Sequence, residues 1–161
     1  VNSRQDFDPI DRFLWANLPW SVQYNGSARF APDRYMTDYL THQAVTAIRA
    51  NRNRPFFLYL AYNAPHTPLQ AMKSDYDALG HIKDHRQRVY AAMVRAVDRG
   101  VGQVTAELKA QGLDRDTLVI FTSDNGGAHY VGLKDLNKPY RGWKATFYEG
   151  GTHLPFLMRW P

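Results

Sequence analysis

Hydrophobic and polar positions divide the chain into helical stripes and short apolar runs. Apolar residues recur at three- and four-residue spacing within residues 37–50 and again within residues 86–111. This period predicts two amphipathic helices. Three short, continuously apolar runs, at residues 55–61, 117–123 and 154–160, are typical of strands that are buried on both faces of a sheet.

The order of these elements predicts the fold class. A strand, a helix and a strand follow one another from residue 55 to residue 123, which indicates a right-handed βαβ unit with two parallel strands. The fold class is therefore predicted as α/β, part of an α/β/α sandwich around a mostly parallel sheet. The predicted elements leave a face and an edge of that sheet uncovered, so we expect an incomplete domain.

Local signals mark the ends of the predicted helices and one turn. Thr37 can cap the start of the first helix, and Gly112 stands where a left-handed cap would end the second. Residues 1–34 are rich in aromatic and turn residues and predict an irregular covering segment, with a surface hairpin around Asn25-Gly26.

Composition and charge narrow the class of protein. A chain of 161 residues with 44% hydrophobic and 22% charged residues is ordinary for one soluble globular domain. The net charge of +5 is scattered without a Lys/Arg block, so no nucleic-acid partner is expected. No apolar run is long enough to span a bilayer, and no signal segment is found in this chain. The absence of cysteine excludes disulfides and cysteine nucleophiles among these residues.

The end of the strand at 117–123 carries the first candidate chemistry. Asp124 and Asn125 follow it directly and precede two glycines. Ligands of open α/β sheets bind just outside the carboxyl ends of such strands. A carboxylate and an amide oxygen are ligands that Ca²⁺ or Mg²⁺ prefers, although further ligands must come from elsewhere. Ordinary turn chemistry is the alternative interpretation.

Two further side chains are candidates for the same edge of the sheet. His66 lies between two prolines after the run at 55–61, and Lys144 lies in a polar loop that can fold back over the edge. With a divalent cation, a lysine and a histidine can bind a tetrahedral oxyanion such as sulfate or phosphate. His66 could then protonate a departing alkoxide as a general acid. Solvated loop side chains are the alternative for both residues.

Four segments resemble one known family. Residues 55–68, 118–127 and 141–156, with the helix at 89–102 between the first two, are similar to consecutive motifs of the type I, formylglycine-dependent sulfatases, or arylsulfatases. This family belongs to the alkaline phosphatase superfamily. The resemblance covers most of the chain from about Tyr35 onward.

The resemblance implies a function and roles for the candidate residues. It implies a sulfuric ester hydrolase for aryl or carbohydrate sulfates, with a sulfated small molecule or glycan as partner. Asp124 and Asn125 correspond to metal ligands for Ca²⁺, with Mg²⁺ possible. Lys144 and His66 correspond to catalytic and substrate-binding residues at the sulfate. Most members of this family are periplasmic, extracellular or lysosomal, so the resemblance implies one of these locations.

The family's nucleophile has no counterpart in this chain. It is a formylglycine made from a cysteine or serine in an N-terminal motif, and no serine here has that setting. The paired N-terminal aspartates of the calcium site are also absent. Residues 1–161 are therefore expected to be a partial catalytic domain, without the N-terminal nucleophile portion and the C-terminal subdomain, and to give no turnover alone.

Two other readings of the sequence stay open. The chain could be a non-catalytic module that binds sulfated glycans through Lys138, Arg141 and Lys144, or a degenerate relic. It could also belong to a phosphodiesterase or phosphatase of the same superfamily. Sites of that second kind favour two metals held by several Asp and His ligands, whereas the motifs here favour a sulfatase.

Overall fold

The computed structural model of the chain describes residues 21–133 and 135–161. Contacts divide the chain into two compact units, Val1–Gln111 and Gly112–Pro161, and each is described by itself. The elements in chain order are α1 (Met36–Asn51), α2 (Lys73–Asp77), α3 (His85–Ala110), β1 (Val119–Thr122), a 3₁₀ turn (His129–Val131), α4 (Glu149–Thr152) and β2 (Phe156–Arg159). No helix in the described part of the chain is long and apolar enough to cross a membrane.

Helices α1 and α3 form the core of the first unit and confirm both helix predictions. Their buried apolar side chains are Ala44, Ile48, Val89, Ala92, Met93, Ala96, Val97 and Leu108. Gly112 has φ of 72° and provides the predicted left-handed cap. The prediction that Thr37 caps α1 is wrong, because the helix begins one residue earlier and Thr37 is buried within it.

Gly100 allows close contact within the first unit. The hydroxyls of Thr41 and Tyr62 are hydrogen-bonded at 2.8 Å. A Cβ added at Gly100 would lie 2.6 Å from each of these oxygens. This contact fixes Tyr62, which begins the loop that carries His66.

Gly100→Ala is expected to lower the free energy of unfolding by about 1–3 kcal/mol, because a methyl group does not fit against Thr41 and Tyr62. Gly102→Ala is the matched control, since Gly102 lies on the same helix with nothing within 4 Å of an added Cβ. It should raise the free energy of unfolding by about 0.5–1 kcal/mol through helix propensity. Urea unfolding compares the two; equal effects would refute the packing role of Gly100.

The hairpin predicted around Asn25-Gly26 is confirmed. Both residues have positive φ, 45° and 78°, as a two-residue hairpin turn of type I′ requires. Val22 and Phe30 flank the turn and exchange two backbone hydrogen bonds of 2.9 and 3.0 Å. Residues 1–20 of the predicted covering segment lie outside the described residues.

The second unit contains an antiparallel pair of strands. Val119 pairs with Arg159 and Thr122 pairs with Phe156. Among residues 123–133 and 135–155 the structure has the 3₁₀ turn and the four-residue α4 as its regular elements. The chain therefore re-enters the sheet at the end where β1 finished, whereas a parallel pair needs a crossover to the opposite end.

The strand predicted at residues 55–61 is not found, and the parallel βαβ pair is not confirmed. None of these residues is hydrogen-bonded as a strand to a described residue. Phe57 and Tyr59 are 93% and 81% exposed. An apolar run alone does not make a strand, because a strand also needs a neighbouring strand for its backbone groups.

Both faces of the β1–β2 pair are open to solvent. Consecutive strand residues face opposite sides of a sheet. Ile120 and Phe121, on β1, are 51% and 36% exposed, and Leu157 and Met158, on β2, are 63% and 64% exposed. The continuously apolar pattern of these strands is thus present without the cover on both faces that it predicts.

Candidate active site

Asp124 and Asn125 lie just past the carboxyl end of β1, as predicted. Asp124 is exposed and Asn125 is half-buried. The Asn125 Nδ2 group donates a hydrogen bond of 2.9 Å to the Gly126 carbonyl, which orients the side-chain amide. Ser123 Oγ donates to the Asn125 carbonyl at 3.0 Å and closes the turn from the other side. The Asn125 Oδ1 atom thereby keeps its capacity to accept a hydrogen bond or to ligate a cation.

The two glycines after Asn125 permit close contact with the second glycine pair of the unit. Gly126 N donates to the Gly151 carbonyl at 3.0 Å. A Cβ at Gly126 would lie only 1.9 Å from the Gly150 oxygen. Residues 124–127 and 149–151 are separate motifs in the sequence, but they pack against each other in the fold. Only glycine fits at this contact.

Lys144 lies beside the same turn through its backbone. Its N–H donates a hydrogen bond of 3.2 Å to the Gly127 carbonyl. Thr146 N donates to the Trp143 carbonyl at 3.0 Å, and Ala145 has φ of 71°, so Lys144 occupies a tight reverse turn. The loop thus folds back toward the end of β1, as the sequence analysis proposed.

The other cations of this loop have local partners. The Arg141 guanidinium lies over the Tyr148 ring, 4.0 Å from its centroid. The Lys138 ammonium lies 2.9 Å from an Asp135 carboxylate oxygen in an exposed ion pair. Neither contact involves Lys144, which differs from both in being half-buried.

Aromatic side chains on this loop pair with the unit's histidines. Trp143 and His129 have ring centroids 3.9 Å apart. Tyr140 stacks on His153 at 4.3 Å, and its hydroxyl lies 3.2 Å from His153 Nε2. These contacts occupy part of each ring and hold the loop that carries Lys144.

His66 lies on a short, exposed loop of the first unit. Its N–H donates to the Asn63 carbonyl at 2.9 Å. Its ring Nδ1 lies 2.9 Å from the Thr67 carbonyl oxygen. A carbonyl only accepts, so this contact is a hydrogen bond when the ring carries a proton on Nδ1.

The hydroxyl pair of Thr41 and Tyr62 anchors the segment that leads to His66. Burial raises the pKa of Tyr62 above its usual value, so this phenol stays neutral around pH 7. The placement of His66 on the same edge as Asp124, Asn125 and Lys144 stays a prediction, because His66 belongs to the first unit and the other three belong to the second.

The donor set at Asp124 and Asn125 is a partial fit to a calcium ion. Both groups supply oxygen, the ligand atom that Ca²⁺ takes, and Asn125 is oriented with Oδ1 uncommitted to a described partner. Calcium requires six to eight such oxygens. Within residues 21–133 and 135–161 no group of three or more His, Cys, Asp or Glu side chains could hold a metal. These two residues thus fit as part of a site and not as a whole one.

The sequence of residues 1–161 matches the family model named Sulfatase along its whole length. The chain belongs to the sulfatase family. The resemblance inferred from the four segments is thereby confirmed, and it extends over residues 1–34.

Two known proteins similar to the chain are named as sulfatases, and one solved structure is similar to it in fold and sequence. It is 36% identical to the "Uncharacterized sulfatase YdeN" of Escherichia coli over 160 residues, covering 94% of this chain and 28% of that protein. It is 40% identical to mouse "Arylsulfatase J" over 131 residues, covering 76% and 21% of the two chains. The crystal structure of Ps i-CgsB in complex with k-i-k-neocarrahexaose superposes with a TM-score of 0.82 at 42% identity, covering 88% of this chain and 31% of that one.

The chain spans less than a third of the length of these relatives. The match in fold and sequence therefore concerns less than a third of each of these proteins. That portion contains Asp124, Asn125, Lys144 and His66.

Sequence reasoning missed Asn137, which is hydrogen-bonded to the turn after Asn125. Its side chain contacts the backbone of Gly127 and Gly142. An asparagine two residues before a proline reads as ordinary turn chemistry, so the sequence contains no signal that separates this role from that one.

Proposed function

We propose that the protein containing these residues is a sulfuric ester hydrolase that acts on aryl or carbohydrate sulfates. The observation that carries the proposal is the hydrogen bond from Lys144 N to the Gly127 carbonyl. It brings the candidate sulfate-binding lysine to the turn that holds the two candidate metal ligands. Membership of the sulfatase family supplies the reaction class.

Lys144 is proposed to bind the sulfate and to stabilise negative charge that develops on it in the transition state. Its ammonium group is attached to a backbone held by a tight turn and by the bond to Gly127, so little reorganisation is needed during the reaction.

His66 is proposed as the general acid that protonates the departing oxygen of the ester. The Thr67 carbonyl holds the Nδ1 proton, so the transferred proton would leave from Nε2. This assignment requires His66 to be protonated when the substrate binds, and it predicts loss of the leaving-group step when the ring is removed.

Asp124 and Asn125 are proposed to contribute two oxygens to a Ca²⁺ site, or to a Mg²⁺ site, completed by groups outside the described residues. The ion would supply positive charge near the sulfate oxygens. The nucleophile is proposed to be a formylglycine outside these 161 residues, which include no cysteine. The 161 residues alone are accordingly expected to give no turnover.

The β1–β2 pair is proposed to be part of a larger, mostly parallel sheet in an α/β/α sandwich, as a portion of the catalytic domain. Support comes from the exposed apolar side chains on both faces, among them Phe121 and Met158. The TM-score of 0.82 to Ps i-CgsB, a structure of which this chain covers 31%, is consistent with this larger fold.

Sulfated glycans are the proposed partner class, beside small aryl sulfates. Support comes from the neighbour of 42% identity, whose crystal structure contains k-i-k-neocarrahexaose. A periplasmic, extracellular or lysosomal location is proposed on the same family grounds.

The test is the relative kcat/KM of the complete gene product for 4-nitrophenyl sulfate and 4-nitrophenyl phosphate. We expect the sulfate ester to be favoured by at least about 100-fold, or about 2.7 kcal/mol in transition-state binding. A preference for the phosphate ester would instead indicate a phosphatase. Binding of either ester without hydrolysis would indicate a non-catalytic module.

A further inference from the structure

Asn137 joins the metal-ligand turn and the Lys144 loop with every hydrogen-bonding group of its side chain. Its Oδ1 accepts a bond of 2.8 Å from Gly127 N. Its Nδ2 donates to the Gly127 carbonyl at 2.7 Å and to the Gly142 carbonyl at 3.3 Å. An amide side chain is suited to this task because it has an acceptor and two donors in one plane.

The bonds converge on groups next to the candidate site residues. Gly127 is two residues after Asn125, and Gly142 is two residues before Lys144. The Gly127 carbonyl accepts from both Asn137 Nδ2 and Lys144 N, so its two lone pairs are both occupied. The Gly127 carbonyl therefore holds the Asn137 side chain and the Lys144 backbone against the same turn.

The packing around Gly127 leaves no room for a side chain at this position. A Cβ at Gly127 would lie 2.3 Å from Leu136 Cδ2 and 3.0 Å from Asn137 Oδ1. The Asn137 amide is half-buried. Removal of its groups would leave the Gly127 N–H and the Gly142 carbonyl without these partners, which costs more than the net value of an exposed hydrogen bond.

We infer that Asn137 is a positioning residue, which sets the separation between the Asp124–Asn125 turn and Lys144. The catalytic effect of this positioning rests on the proposed function. The structural effect, that Asn137 holds the Lys144 loop against the turn, does not depend on it. A displacement of about 1 Å at a catalytic group can cost about 100-fold in rate. Asn137 itself touches neither the ester nor the metal in this account.

The test compares Asn137→Ala and Asn137→Asp in the complete gene product, with Asp135→Asn as control. Asp135 lies on the same loop, and its exposed carboxylate pairs with the Lys138 ammonium at the surface. Asn137→Asp keeps an acceptor for Gly127 N but loses both donors and sets a carboxylate against two carbonyls. The measurements are kcat and KM for 4-nitrophenyl sulfate, and amide hydrogen exchange of peptides covering residues 124–130 and 142–146.

We expect kcat/KM to fall by about 10- to 100-fold in both variants, mainly through kcat. Amide exchange of both peptides should become at least about 10-fold faster in Asn137→Ala, while helix α3 exchanges as in the unsubstituted protein. The control should stay within about twofold on both measurements.

Three outcomes would overturn the inference. Unchanged exchange at both peptides would mean that Asn137 does not hold the loop, whether or not the protein is a sulfatase. Changed exchange with unchanged kcat/KM would remove the catalytic consequence. Loss of the whole fold in both variants would assign Asn137 a general structural role. If the unsubstituted protein lacks turnover while exchange responds as expected, the proposed function fails, and the role of Asn137 in positioning the loop stands.

Discussion

Lys144→Ala should lower kcat/KM for a sulfate ester by about 100- to 1,000-fold in the complete gene product, which is about 2.7–4 kcal/mol of lost transition-state stabilisation. The reason is that the ammonium group is expected to meet charge that develops on the sulfate. Its backbone N–H bond to Gly127 does not depend on the side chain, so the alanine variant should keep the loop in place. Steady-state kinetics with 4-nitrophenyl sulfate measure the effect.

Lys138→Ala is the matched control for this substitution. It removes a lysine from the same loop, but one that is paired with Asp135 at the surface. Exposed pairs of this kind contribute little, so activity should change by less than about twofold. Equal losses in the two variants would favour a diffuse basic patch that binds sulfated glycans over a specific sulfate site.

Asp124→Asn should weaken Ca²⁺ binding by at least about 100-fold, because it replaces a carboxylate in a site that depends on the charge of its ligands. The side chain is exposed and its size is unchanged, so little loss of stability is expected. Isothermal titration with Ca²⁺ measures the affinity, and the calcium concentration that gives half-maximal sulfate release measures the same change through activity.

Asp116→Asn is the control for Asp124→Asn. It makes the same change of charge in the same unit, at an exposed residue before β1. Calcium affinity should be unaffected there. Unchanged affinity in Asp124→Asn would show that Asp124 is a turn residue, which is the alternative that the sequence left open.

The helices were predictable from the sequence because their signals are local. An apolar stripe at helical spacing, the Gly112 cap and the Asn25-Gly26 turn each depend on a few neighbouring residues, and the structure confirms all three. The Thr37 cap failed because a residue that can cap a helix can also lie inside one. A buried position for Thr37 depends on tertiary packing that no local pattern encodes.

Strand pairing was less predictable because it depends on distant residues. The runs at 117–123 and 154–160 contain β1 and β2, but their antiparallel direction follows from a connection that stays at one end of the sheet. The run at 55–61 has the composition of a strand and has no strand partner among the described residues.

The candidate site was predictable in part. The place of Asp124 and Asn125 at the end of β1 follows from their position after an apolar run. The predicted return of the Lys144 loop toward this end is seen in the hydrogen bond from Lys144 N to Gly127. Asn137 was not predictable, since its bonds to Gly127 span ten residues and use a side chain that is common in turns. The roles of Lys144 and His66 in sulfate chemistry remain predictions that rest on the family motifs.

The most direct test of the account is a crystal structure of the complete gene product with Ca²⁺ and inorganic sulfate. We expect an ion with Asp124 and Asn125 side-chain oxygens at about 2.3–2.6 Å. A sulfate oxygen should lie within hydrogen-bond distance, about 2.7–3.2 Å, of Lys144 Nζ, with His66 Nε2 facing the same anion. An ion or a sulfate bound elsewhere, with Asp124 and Lys144 contacting neither, would contradict the account.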